Sequence, residues 1–115
     1  MANDFKNAIA QNVSNSAGGT TIYTTPATKT SIMLELDIAN TTTSVIEASV
    51  EVLDSRVSAS AWRYLVKNAP VPTGGSLMVI AGQKIVLEAG DKVRVTSSAA
   101  SSMDVVAAIL EDVNS

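Results

Sequence analysis

The sequence predicts an all-β fold: a single antiparallel β-sandwich, jelly-roll-like, with about 7–8 strands. Three observations predict it. Apolar residues recur with a period of two along most of the chain, and clusters of Gly, Pro, Asn and Ser interrupt that pattern at short intervals. The chain has 115 residues, 46% hydrophobic but only 3% aromatic, which suits one modest core of aliphatic side chains. A closed barrel is the competing arrangement of the same strands.

The first nineteen residues read differently from the rest. Phe5, Ile9 and Val13 fall at i, i+4 and i+8, one apolar stripe if the segment is a short helix, and Ser14 to Gly19 reads as a flexible joint. The segment fits either a helix packed on its own domain or an arm that docks on a neighbour. The expected organisation is therefore an N-terminal arm and Ser/Gly joint over 1–19 and a β-sandwich domain over 20–115.

Thr20 to Thr24 is β-branched and stops before Pro26, which lacks the N–H a ladder needs. Lys29 to Asn40 alternates, with Ile32, Leu34, Leu36 and Ile38 on one face and Ser31, Met33, Glu35 and Asp37 on the other. After the polar turn Asn40 to Ser44, Ile46, Ala48, Val50 and Val52 alternate against Val45, Glu47, Ser49 and Glu51, so the two strands read as an antiparallel pair. Ser55 to Ser60 is a small polar loop. Ala61 to Lys67 is a strand ended by the Pro70 to Gly75 turn cluster, and Ser76 to Ala81 is a short, continuously apolar, buried strand. Ile85 to Thr96 reads as a hairpin, with Gly90 at a turn position that needs positive φ and Asp91 ready to bond the backbone. Ser97 to Ser102 is a loop. Met103 to Val113 fits a buried strand better than a short helix, given its Val pair.

Composition excludes much chemistry. The chain contains no cysteine and no histidine, which removes disulfides, thiol nucleophiles, the usual zinc sites and every His-based acid/base pair. The net charge of -3, with eight scattered Lys and Arg, leaves no basic patch for nucleic acid. No apolar run approaches the ~20 residues that span a bilayer, and Met1 to Lys6 carries neither the basic nor the apolar part of a secretory signal. No membrane association, signal peptide or transmembrane segment is expected.

No catalytic, cofactor-binding or metal residue is expected either. Serine catalysis without His requires Lys or a carboxylate as base, and no Ser-x-x-Lys motif occurs. Gly18-Gly19 and Gly74-Gly75 lack the Lys-Ser/Thr of a phosphate loop and read as turn or linker. Asn12-Val13-Ser14 and Asn40-Thr41-Thr42 match the glycosylation pattern as chance features of a Ser/Thr-rich chain.

Two groups remain as candidate interface residues alongside the Phe5, Ile9 and Val13 stripe. If Ile38 faces Ile46, Asp37 lies opposite Glu47 with Glu35 and Glu51 nearby, and like charges opposed on a sheet are destabilising. Arg63 and Lys67 or Lys92 and Arg94 could neutralise them, Ca²⁺ could bridge them, or a basic partner surface could dock there. Trp62 and Tyr64 share a strand face at i, i+2, a core or interface anchor more readily than a sugar-stacking platform.

The runs Phe5 to Ile9, Thr21 to Thr24, Tyr64 to Leu77 and Lys84 to Val93 together resemble small virion structural proteins of tailed bacteriophages, particularly those of marine and cyanobacterial hosts. The resemblance implies a non-enzymatic virion component, made in the host cytoplasm and carried on the particle. The leading expectation is a capsid decoration or cement protein, a homotrimer that binds the major capsid protein lattice and stabilises the head. The alternatives are a tail, neck or baseplate adaptor or fibre-associated protein and, outside virions, a carbohydrate-binding module using Trp62 and Tyr64.

Overall fold

The computed structural model describes residues 4–16, 18–58 and 60–111. Residues 1–3 of the predicted arm, Ala17 of its joint, Ala59 of the 55–60 loop, and Asp112 and Val113 of the last predicted strand lie outside them. Eight strands form among the described residues: β1 (Asp4–Ala10), β2 (Thr20–Thr24), β3 (Ser31–Asn40), β4 (Ile46–Leu53), β5 (Trp62–Val71), β6 (Ser76–Leu87), β7 (Lys92–Ser97) and β8 (Met103–Glu111).

They build two four-stranded antiparallel sheets, in the orders β1-β8-β3-β6 and β2-β7-β4-β5. The pairs β1/β8, β2/β7, β3/β6 and β4/β5 are those of one antiparallel ribbon folded back on itself, which is the jelly-roll wrapping. Every connection except β4 to β5 crosses from one sheet to the other. Alternation dictates this stacking, because each strand has one apolar set of side chains and two such sheets bury them against each other. Met33, Leu36, Ile38, Leu87, Met103, Val105 and Ile109 meet Ala48, Val50, Val93 and Val95 in that core.

The first segment is a strand and not a helix. A spacing of four residues keeps side chains on one face of a helix, but four is also a multiple of two, so Phe5 and Ile9 share one face of β1 equally well. They point outward and are exposed, while Ala8 faces the core. Val13 leaves the stripe. The chain turns at Asn12 (φ 54°), Val13 is fully buried, and its N–H donates to the Met103 carbonyl at 3.1 Å. The joint is also held in place. The Ser97 N–H donates to the Ser14 carbonyl, and Gly19 (φ +53°) packs against the Val95 backbone.

Two expected hairpins are crossings between sheets. β3 does not pair with β4: its neighbours are β6 and β8, and the turn Asn40 to Ser44 carries the chain across the sandwich. The buried Asn40 side chain fixes that crossing, donating to the carbonyls of Ser44 (2.7 Å) and Val71 (3.0 Å) and accepting from the Thr42 N–H and hydroxyl. Gly90 does adopt positive φ (+85°), and the Asp91 carboxylate accepts from the Glu88 N–H at 2.9 Å, but the strands they join lie in different sheets. Pro70 does not end β5. That strand is the edge of its sheet, where a residue without an N–H is tolerated.

Candidate interaction surface

The outward face of the β1-β8-β3-β6 sheet is unusually apolar. Register places Phe5, Leu110, Ile32 and Val86 side by side in one row across all four strands, and Ile9, Val106, Asp37 and Met78 in a second. Phe5, Ile9, Met78, Val86 and Val106 are between 48% and 77% exposed. An apolar surface of this extent on a small domain marks a contact site more often than it marks nothing. Between the two rows sit Asn7, Ala108 and Glu35.

Glu35 and Asp37, two residues apart on this face, are the only carboxylates among the residues of these rows. When Glu35 is protonated it hydrogen-bonds Asp37, and that bond, with the repulsion between the two charges, raises its pKa above the usual carboxylate value. The Asp37 Oδ1 atom is buried and has no hydrogen-bond partner. Buried acceptors are rarely left in that state.

The outer face of the other sheet carries an internal charge pair. Arg94 on β7 makes a two-point contact with Glu51 on β4, Nε to Oε1 at 3.0 Å and Nη2 to Oε2 at 3.1 Å, and its guanidinium lies 3.8 Å from the centre of the Trp62 ring. Lys67 lies over the Tyr64 ring at 5.2 Å. Trp62 lies directly opposite Leu53 in the register, and Leu53 is buried.

A third polar cluster ties the two sheets together at one end of the sandwich. Tyr23 of β2 donates its hydroxyl hydrogen to Glu111 Oε2 at 2.5 Å, leaving the oxygen to accept from Ser31 of β3 at 2.9 Å, while Lys6 of β1 contacts Glu111 Oε1 at 2.8 Å. Burial, and then the Glu111 hydrogen bond, push the Tyr23 hydroxyl up to about 12. The bonds from Lys6 and Tyr23 hold Glu111 below the ordinary carboxylate value. Every group in this cluster has a partner, and its work is structural.

The predicted site residues are therefore split. Phe5, Ile9, Glu35 and Asp37 come together on one outer face, Glu47, Glu51, Trp62 and Tyr64 lie on the opposite one, and Val13 is core. The four carboxylates do not converge, so they form neither a shared oxygen cage for Ca²⁺ nor a single acidic face. Of the proposed neutralising contacts, Arg94 to Glu51 is present. Sequence reasoning missed Ile32, Met78, Val86, Val106 and Leu110. The available signal was the unbroken apolar character of 76–81 and 105–110: a strand that is apolar on both sides needs a cover on both sides.

Topology and surface together define the class: a small all-β jelly-roll module with one outer face on which Arg94, Glu51 and Trp62 engage one another and one that is apolar and carries Glu35 and Asp37. No family model matches the chain, and no curated protein matches it. Among solved structures it is similar to a chain of the "Structure of infectious bursal disease virus Gt strain", with 13% identity and a TM-score of 0.41, over 96% of this chain and 36% of that one. The protein thus spans little more than a third of the length of that chain.

Proposed function

We propose that the protein is a non-enzymatic structural component of a virion, a jelly-roll subunit that decorates or cements the outer capsid lattice and stabilises the head. The observation that carries this reading is the complete jelly-roll wrapping combined with a broad apolar sheet face, since jelly rolls recur as capsid domains and that face supplies a contact surface. The resemblance to small virion proteins of tailed bacteriophages points the same way. Weak contacts suffice in this role, because subunits that engage a lattice at several points gain avidity without new contacts. The expected assembly is a homotrimer on the major capsid protein. The sugar-binding alternative finds less support, because Arg94 already covers one face of the Trp62 ring.

Quantitative mass spectrometry of purified particles tests the proposal. A capsid lattice predicts on the order of hundreds of copies per particle. On the order of a dozen copies would move the protein to a tail, neck or baseplate, and absence from the particle would reject the virion reading.

A further inference from the structure

We propose that the outer face of the β1-β8-β3-β6 sheet docks onto a protein surface presenting an arginine or lysine ringed by apolar side chains, with the cation seated at Glu35 and Asp37. The inference deepens the structural role above by naming the contacting face, and it rests on that role only for the existence of a protein partner.

Three observations select this occupant. The first is the pair of apolar rows, Phe5, Leu110, Ile32 and Val86 in one and Ile9, Val106 and Met78 in the other, which asks for an apolar cover. The second is uncompensated charge. Several other acidic side chains have cations, Glu51 with Arg94, Glu111 with Lys6 and Glu88 with Arg56 at 3.1 Å, and Asp91 and Asp104 accept backbone or hydroxyl hydrogen bonds instead. Among the described residues no ion pair joins a cation to Glu35 or Asp37, and the group acting on Glu35 is the neighbouring Asp37. The third is Asp37 Oδ1, buried and without a hydrogen bond in a row flanked by Val106 and Met78, an acceptor that an incoming donor satisfies when the Asp37 side chain turns outward.

These features exclude simpler covers. A wholly apolar partner would strip water from two adjacent carboxylates and return nothing, a cost that exceeds the gain from modest apolar contact. A second copy stacked face to face about a two-fold axis at this site would bring four carboxylates together. A guanidinium can bond both carboxylates at once while its surroundings cover the apolar rows, matching the charge and the shape of the face.

Methyl NMR of the protein carrying ¹³C-methyl methionine tests this. Met78 reports on the face, and the fully buried Met33 and Met103 serve as internal references. The probe is the peptide acetyl-Val-Leu-Arg-Leu-Val-amide, and its control replaces Arg with citrulline, which keeps the shape and removes the charge. The expected result is a shift confined to Met78, with the arginine peptide binding about fivefold more tightly than the control, the scale of a partly desolvated ion pair. The preference should vanish in the double variant Glu35→Gln, Asp37→Asn, whose Met33 and Met103 signals certify the fold. Equal binding of the two peptides, no movement of Met78, or a preference that survives in the double variant would overturn the proposal. So would a Met78 shift driven by protein concentration alone, which would assign the face to self-association. Particle copy number is measured independently, so a failed titration with many copies per particle rejects this face and leaves the virion role standing.

Discussion

Removing the Tyr23 hydroxyl breaks the link between the sheets at one end of the sandwich. In Tyr23→Phe, Glu111 Oε2 loses a donor at 2.5 Å and Ser31 loses its partner at 2.9 Å, both in a region where Ser31 and Glu111 are nearly inaccessible to solvent. A hydrogen bond to a charged acceptor contributes about 1.5–3 kcal/mol and a neutral one about 1, and Lys6 still holds the other oxygen, so a loss of about 2–3 kcal/mol is expected. That corresponds to a fall in Tm of roughly 10 °C for a domain of this size. Urea unfolding followed by fluorescence of Trp62, the single tryptophan, measures it. The pH dependence provides a second signature. Tyr23 sits at about 12 in the folded protein against 10.0 ordinarily, so its contribution is fully present below pH 10 and is lost as pH rises towards 12. Discounted for partial solvent exposure, the loss is roughly 1–2 kcal/mol. Glu111 has the opposite sign: its pKa is depressed, so its contribution is present above the unfolded carboxylate value and lost as pH falls through the folded one. Tyr23→Phe should remove the alkaline decline and move the acid decline to higher pH. A variant within about 0.5 kcal/mol of the parent, with the alkaline decline intact, would refute the proposed clamp.

Other perturbations separate further parts of the structure. Arg94→Lys loses the two-point contact with Glu51 and the stacking on Trp62, and should cost about 1–2 kcal/mol in urea unfolding with a change in the native Trp62 emission. Gly19→Ala places a Cβ against the Val95 carbonyl and Thr96 Oγ1 at φ +53° and should cost about 3 kcal/mol, whereas Gly74→Ala, at φ +66° but facing open space, should cost about 1. Peroxide treatment of the native protein should oxidise Met78 before Met33 and Met103, as peptide mass spectrometry will show, without loss of the fold. Removing both charges in Glu35→Gln, Asp37→Asn should stabilise the monomer at neutral pH and make its sedimentation coefficient rise more steeply with concentration than the parent's.

Strand number, the alternation of β4 and the positive φ at Gly90 were legible in the sequence, because each depends on local pattern; the expected alternation of β3 holds only from Glu35 onward, because a bulge between Met33 and Glu35 turns Met33 into the core and Ile32 to the outer face. Strand pairing was not legible. The β3 and β4 patterns fit a hairpin as well as two stacked sheets, and what decides between them is the better burial available to Ile38 and Ile46 in a shared core, a property of the whole chain. The same ambiguity turned a helical stripe into β1: residues four apart share a face in both structures, and the β8 edge supplied the partner that made a strand the better choice. The candidate site was half legible for the same reason. Glu35 with Asp37 and Phe5 with Ile9 were visible as pairs, but their meeting on one surface depends on β8 lying between β1 and β3, which only the jelly-roll wrapping brings about.

That wrapping also indicates which part of the molecule makes contacts. Interaction sites on β-sandwiches often lie in end loops, yet here two of the crossings are tied down by buried side chains: Asn40 with four hydrogen bonds at one, and at another Asp91, which accepts from Ser55 and Glu88. Crossings held in this way have little left to offer a partner, and on the other outer face Arg94, Glu51 and Trp62 are engaged with one another. Of the two buried side-chain atoms without a hydrogen bond among the described residues, Thr25 Oγ1 lies at the β2–β3 crossing and Asp37 Oδ1 on the β1-β8-β3-β6 face, which also carries the exposed apolar rows. There Glu35 and Asp37 act in two ways: they oppose face-to-face stacking of identical copies, and they reward a partner that brings a cation. The proposed role in many copies would require both properties at once, because an apolar face without charges would aggregate before it met a partner, and a charged face without apolar rows would be held too weakly to stay.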